Sequence, residues 1–319
     1  MKRALITGVS GMVGSHMADF LLDKGYEVYG TSRNINSDSS NIKKSKDRIQ
    51  LIQVDLNDQA SLYKAVEISN PDEIYNFGAV SFAPNSWLTP EYTANVNGLA
   101  VLKILEIIKQ FNSKIRFYQA GTSEIFGNLK NTTANEETTP YPKSPYGVAK
   151  LYAQWIIRNY RESYGLFACN GISFNHESER RGVEFVTRKI TKSVAEIKLG
   201  KRDFIELGNL DVNRDWGYAP DYVEAMWLML QSDVPEDYVI STNKSNTLDH
   251  LLSVAFRTAE IDDYKKYIKI NPKFVRTNEI HNLKGDYSKI KNKLGWQPKT
   301  SFEEMIDIMV NNDLKLIEQ

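Results

Sequence analysis

The chain has 319 residues, 41% of them hydrophobic and 25% charged, with 40 Lys and Arg against 40 Asp and Glu. That length suits one large domain or two interleaved ones around a sizeable core, and the balanced charge argues against nucleic acid or a membrane surface as partner. A single cysteine, Cys169, rules out an internal disulfide; the four histidines lack metal-binding spacing, and no stretch of about 18 apolar residues offers a membrane span.

Arg3 to Thr7 reads as a short buried strand, followed by Gly8-Val9-Ser10-Gly11-Met12-Val13-Gly14 and a helical run from Ser15 to Lys24. No signal-peptide pattern precedes the strand, so a cytoplasmic location is expected. Glu27 to Thr31 is a second strand, completing a βαβ unit. Asn34 to Lys46 is polar, ends in the basic cluster Lys43, Lys44 and Lys46, and reads as a mobile surface loop. Strands are expected at 49–54, 73–77, 114–119 and 166–173, and helices at 59–68, 92–110 and 146–164. Such alternation predicts an α/β fold: a Rossmann-like, doubly wound parallel sheet covered on both faces. After Ser173 the pattern becomes mixed, with helices expected at 185–199, 221–231 and 246–259. Residues 1–173 are therefore expected to form a dinucleotide-binding domain. Residues 174–319 should form a smaller mixed α/β substrate lobe, with some segments returning to the first domain. Cys169 lies in an apolar run and is expected to be a buried, unreactive thiol.

Gly8, Gly11 and Gly14 stand between a strand and a helix. There they permit a tight turn, close approach of a pyrophosphate and close helix packing, with the helix N-terminus favouring negative charge. An acid at the end of the second strand would select NAD; here Tyr29-Gly30-Thr31-Ser32-Arg33 offers an arginine instead, which favours the 2′-phosphate of NADP. Asp55, after the third strand, is placed to meet the adenine amino group, and Gly78-Ala79 lets backbone pass close to the cofactor. Tyr146 and Lys150 stand four residues apart at a helix entry marked by Ser144 and Pro145. A phenol is a weak base at neutral pH; a lysine one turn away is expected to pull its pKa down and make an acid/base pair for a substrate hydroxyl.

Together these motifs resemble the extended short-chain dehydrogenase/reductases. Longer stretches narrow the resemblance to the GDP-mannose 4,6-dehydratase family: Tyr118-Gln119-Ala120-Gly121-Thr122-Ser123-Glu124, the run from Asn175 to Gly182, Leu207-Gly208-Asn209-Leu210-Asp211 and Arg214-Asp215-Trp216-Gly217. The resemblance implies Thr122, Glu124, Tyr146 and Lys150 as catalytic positions. It implies NADP contacts from Gly8, Val9, Ser10, Gly11, Met12, Val13, Arg33, Asp55, Leu56, Phe77, Gly78, Ala79, Val80, Ser81, Tyr92, Lys150, His176 and Arg181. It places a GDP-sugar against Ser81, Ser123, Asn175, Lys189, Leu207, Gly208, Arg214, Arg276 and Glu279, and it implies a homodimer or homotetramer. No nucleic acid, membrane or metal is expected. Arg188 adds positive charge near the expected diphosphate. The sequence departs from the family at Met12-Val13, at Arg33-Asn34 and in the Val80 to Asn85 loop.

In this reading Tyr146 with Lys150 oxidises C4, Thr122 holds O4, and Glu124 acts as base at C5 and then as acid toward the C6 hydroxyl. The alternatives are the same chemistry on a GDP-manno-heptose, a GDP-keto-sugar reductase or 4-dehydrogenase without use for Glu124, and a non-catalytic NADP sensor.

Overall fold

The computed structural model describes residues 1–35, 40–129, 133–274, 280 and 282–318. β1 (Arg3–Thr7) runs into the glycine loop, and α1 (Met12–Asp23) starts from it. β2 (Glu27–Ser32), β3 (Ile49–Gln53), α2 (Gln59–Ser69) and β4 (Glu73–Asn76) follow. The helix expected over 92–110 is made of α3 (Pro90–Ala94), a π turn (Asn95–Leu99) and α4 (Ala100–Phe111), which continue one another. A π turn leaves no mark on apolar periodicity, so the sequence reading treats the whole as one regular helix. Next come β5 (Arg116–Ala120), α5 (Pro145–Tyr164) and β6 (Ala168–Ser173).

Later elements are short strands threaded between helices. They are β7 (Asn175–Glu177), α6 (Val186–Lys198), β8 (Ile205–Leu207), β9 (Asn213–Arg214), β10 (Trp216–Tyr218) and α7 (Ala219–Gln231). β11 (Tyr238–Ile240), β12 (Asn246–Thr247), α8 (Leu248–Thr258), β13 (Ile268–Ile270), β14 (Asn282–Leu283), α9 (Ser288–Leu294) and α10 (Phe302–Glu318) complete the chain.

Seven strands form one parallel sheet in the order β11-β6-β5-β4-β1-β2-β3. Its strands are apolar and largely buried because helices cover both faces. On one face Val66, Ile104, Leu105 and Ile157 from α2, α4 and α5 meet Leu5, Ile74 and Phe117. On the other, Met17 and Leu21 of α1 and Met226 and Met229 of α7 meet Ala4, Ile6, Tyr75 and Tyr118. α6, α8 and α10 enclose a separate core with Ile190, Leu252, Phe256 and Met309. α7, β11 and Ile290 of α9 thus belong with the sheet although they lie beyond residue 173. We propose residue 174 as the first crossing between lobes, with later returns.

Of the surface loop expected over 34–46, residues 36–39 lie outside the described residues, and the 40–46 stretch is not a free loop. It forms tight helical turns around a buried Ile42, which packs into the core beside α1. Cys169 is buried, and burial pushes its thiol up to about 12, as expected of an inert cysteine.

Candidate active site

The helix carrying Tyr146 and Lys150 begins as its sequence demands. Ser144 caps it by accepting from the Gly147 amide at 3.1 Å, Pro145 takes the first position, and Gly165 ends it in the left-handed region at φ 65°. Such a cap is worth about 1 kcal/mol and fixes where the helix starts, hence which face carries the pair. Lys150 is buried, and its Nζ donates to the Ala120 carbonyl at 2.8 Å. That carbonyl ends β5, two residues before Thr122.

A row of polar side chains lies beneath. Thr7, Asn76, Gln119 and Asn170 are register partners across β1, β4, β5 and β6, so they share one face of the sheet. Gly78 N donates to Thr7 Oγ1 at 3.0 Å, and Thr7 Oγ1 donates to Asn76 Oδ1. Asn76 Nδ2 donates to Gln119 Oε1 at 2.6 Å, and Gln119 Nε2 donates to the Ala120 carbonyl at 2.9 Å. The Ala120 oxygen thus accepts from both Gln119 and Lys150. Buried amides are costly unless hydrogen-bonded, and here the bonds run unbroken from the cofactor loop to the lysine.

Thr122 is buried, and its Oγ1 accepts from the Glu124 amide at 3.2 Å. Tyr146 interacts with both Thr122 and Glu124. The expected lowering of the Tyr146 pKa does not hold for the protein alone. Burial pushes the phenol up to about 12; the Thr122 hydroxyl and Arg181 work to lower it, while the Glu124 carboxylate adds to the rise. Burial also brings Lys150 down to about 8. The Lys150 ammonium lies 5.9 Å from the centre of the Tyr146 ring.

The cofactor side meets the requirements of a dinucleotide. Gly8 has φ +67°, and a Cβ there would come within 2.9 Å of the Gly78 backbone. Among the described residues no side chain caps the first turn of α1, whose amides stand at the loop where a pyrophosphate fits. Val9 and Met12 are buried beneath the loop, whereas Ser10, Gly11 and Val13 are exposed or half-buried at its rim. Arg33, exposed at the end of β2, donates to Tyr92 Oη at 3.1 Å, which brings two expected cofactor contacts together. Asp55 accepts from the Asn57 amide at 2.9 Å, and the Leu56 side chain packs under Gly78. Phe77 packs against Tyr118 with ring centres 5.8 Å apart. The loop beyond Gly78-Ala79 is fixed by a residue the sequence reading missed. Asn97, buried in the π turn, accepts from Val80 N at 2.8 Å and donates to Val80 O at 3.0 Å.

His176, on β7, bonds through Nδ1 to the Phe174 carbonyl at 2.8 Å and stacks on Tyr222; burial lowers its pKa to about 4, leaving it neutral. Arg181 pairs with the buried Glu177 at 3.0 Å and lies 3.4 Å over the Phe185 ring. Phe185 in turn meets Phe82, with ring centres 5.4 Å apart, so the Ser81-Phe82 loop touches the entry to α6. Among the expected substrate contacts, Asn175 pairs in register with Trp216, and Lys189 donates to the Glu206 carbonyl at 2.7 Å beside Leu207 and Gly208 at the end of β8. Ser123 and Arg214 are buried, Ser81 is exposed, and Arg276 and Glu279 lie outside the described residues. Arg188 does not serve the diphosphate: it is buried between α6 and α10, paired with Asp313, whose other oxygen accepts from Thr191 at 2.8 Å. Among the described residues no cluster of His, Cys, Asp and Glu could hold a metal, and no helix is long and apolar enough to cross a membrane.

Residues 5–309 match the family model described as GDP-mannose 4,6 dehydratase. The chain belongs to that family. It is 45% identical to GDP-mannose 4,6 dehydratase 1 of Arabidopsis thaliana, with 100% of this chain and 91% of the relative covered. It is 43% identical to the Homo sapiens GDP-mannose 4,6 dehydratase, covering 98% of this chain and 92% of that protein. Among solved structures, the UDP-glucose 4-epimerase of Thermotoga maritima superposes with TM-score 0.88 at 24% identity, over 98% and 99% of the two chains. The dTDP-glucose 4,6-dehydratase of Bacillus anthracis, solved with NAD, gives 0.87 at 22%, over 100% and 98%. At those identities the two structures speak for the fold alone.

Proposed function

We propose that the protein converts GDP-mannose to GDP-4-keto-6-deoxymannose, using NADP as a recycled hydride carrier. The observation that carries this reading is the convergence of Glu124 with Thr122 and Tyr146 in a chain of this family. A simple C4 oxidation has no use for that carboxylate.

Bound NADP supplies one thing, a site that takes the hydride from C4 and later returns it to C6. The side chains move the protons. Tyr146 accepts the O4 proton, with Lys150 and Arg181 as the cations that stabilise its phenolate. Thr122 holds O4 as a hydroxyl becomes a carbonyl. The C4 ketone acidifies the C5 hydrogen, which Glu124 removes. The same carboxyl then donates its proton to the C6 hydroxyl, which leaves as water. The proton taken from O4 balances the one C5 regains, and the net change is loss of one water. Gly8 to Val13, Arg33 and Tyr92 are proposed to hold the dinucleotide; Lys189, Leu207, Gly208 and Arg214 are proposed to hold the nucleotide diphosphate. Arg33, with no acid beside it, supports NADP over NAD.

Incubation with GDP-mannose, and separately with a GDP-manno-heptose, tests this reading. The expected product from GDP-mannose is an alkali-labile 4-keto sugar, absorbing in the near ultraviolet, that has lost its C6 oxygen. A 4-keto product that keeps the C6 oxygen would replace the proposal with a 4-dehydrogenase.

We further propose a homodimer. Trp87, Leu99, Val148, Tyr152 and Trp155 are large apolar residues exposed along the α3–α4 and α5 region, a face suited to a second copy of the chain. Light scattering at micromolar concentration is expected to give twice the chain mass, and a monomer mass would overturn the proposal.

A further inference from the structure

Outside the expected contacts, a second set of side chains ties the cofactor loop to the segment that carries Arg181. Asn41 sits between them. Its Nδ2 donates to the Ser10 carbonyl at 3.2 Å and to the Arg180 carbonyl at 3.3 Å. Ser10 belongs to the phosphate loop, and Arg180 immediately precedes Arg181. Asn41 is itself anchored, because its neighbour Ile42 is buried in the core beside α1. Two more ties run from α1 to the same segment. Arg180 Nη2 donates to Asp19 Oδ2 at 2.6 Å. His16 Nε2 and Ser178 Oγ are bonded at 2.9 Å in a buried position. Tyr218 donates to Glu179 at 3.3 Å, steadying the same segment from the second lobe.

Asn41 and Arg180 are 139 residues apart in the chain, and Asp19 and Arg180 are 161 apart, so chain proximity does not bring them together. The sheet is complete without them, and none contributes to an apolar core. They join the two walls between which a dinucleotide would lie, one at the phosphate loop and one at Arg181. We infer that Asn41 and the Asp19–Arg180 pair form a latch that retains NADP between turnovers. This rests on the proposed function, in which the hydride goes out and comes back. An enzyme that must exchange its cofactor on every cycle would be slowed by such a latch. One that ends each cycle with the cofactor as it began is not. The latch residues are positioning residues: they reach the cofactor through Ser10 and Arg181.

The test uses the full-length protein loaded with radiolabelled NADP and chased with unlabelled NADP. Asn41→Ala removes two bonds across the opening and is expected to speed release by about tenfold. Asp19→Ala, on the outer side of α1, is expected to speed it several-fold. The charge exchange Asp19→Arg with Arg180→Asp should restore slow release. A latch must also open for entry, so association should accelerate with dissociation and leave the affinity changed far less than either rate. Release at the wild-type rate in both Asn41→Ala and Asp19→Ala would overturn the inference. Faster release with unchanged association would overturn it too, since that is the mark of a lost direct contact. Wild-type protein that holds no NADP would instead sink the cofactor reading on which the latch depends, and the latch with it.

Discussion

Replacing Lys150 by Met isolates what the lysine does for Tyr146. The ammonium lies 5.9 Å from the centre of the phenol ring. At an effective dielectric constant of about 20, a unit charge at that distance stabilises a phenolate by about 3 kcal/mol, or roughly 100-fold in its population. Met keeps the apolar stem in the buried site and deletes only the charge and its bond to Ala120. The pH dependence gives the sharper reading. Burial leaves Tyr146 at about 12 and Lys150 at about 8, so the pair loses its first proton near 8. The reactive form, phenolate beside ammonium, is a fixed share of the singly deprotonated pair. Oxidation of C4 should therefore rise with pH until about 8 and then level off. In Lys150→Met only the phenol remains, and the rate should climb by about tenfold per pH unit straight through that range. The assay is a single turnover of protein loaded with NADP and mixed with GDP-mannose, followed by reduced-nicotinamide absorbance. A Lys150→Met protein within a few-fold of wild type, or one that levels off at the same pH, would refute the reasoning.

Glu124→Gln should still oxidise C4, so reduced cofactor accumulates in a single turnover while 6-deoxy product falls by about 100-fold or more, together with exchange of the C5 hydrogen into deuterated solvent; product at the wild-type rate would remove Glu124 from the chemistry. Arg33→Ala should weaken binding of NADP more than of NAD in a titration of each, because the guanidinium is proposed to face the 2′-phosphate. Asn97→Ala strips both backbone groups of Val80 of their partners and should cost about 2 kcal/mol in chemical denaturation, with weaker NADP binding as the loop loosens.

The sheet was legible because parallel strands buried on both faces leave long apolar runs, and each expected strand of the first lobe is found within a few residues. Gly8, Gly11 and Gly14, with Tyr146 and Lys150, were legible because their side chains, or lack of them, are fixed by local turn and helix geometry. Asn97 was not, since its role depends on a π turn that composition does not announce. The role of Gln119 was legible only in part: its bond to Ala120 depends on strand register, although a polar residue at the same level of four strands is a signal in the sequence. Arg188 misled because positive charge in the sequence says nothing about partners: Asp313 lies 125 residues on, in a helix the sequence reading did not mark. The pKa of Tyr146 misled for a related reason. Spacing reveals the lysine one turn away, but not how deeply the phenol is buried.

The raised pKa of Tyr146 bears on how the site works. Glu124 raises the Tyr146 pKa, which opposes formation of the phenolate. The same repulsion makes the phenolate, once formed, a stronger base, because taking the O4 proton removes one of two adjacent negative charges. Glu124 stays ionised through that step, as it must to act at C5 next. After it has taken the C5 proton, Tyr146 faces a neutral acid and is again free to ionise. The two groups therefore need not be negative together except before C4 oxidation, where their repulsion drives the first proton transfer. A glutamine at 124 relaxes that repulsion, so phenolate makes up a larger share of the singly deprotonated pair, and C4 oxidation should level off above about pH 8 at a higher rate while elimination is blocked. A pH profile of single-turnover oxidation in Glu124→Gln would show the raised plateau. A plateau unmoved from wild type would mean that the carboxylate and the phenol do not sense each other, and that the two half-reactions are electrostatically independent.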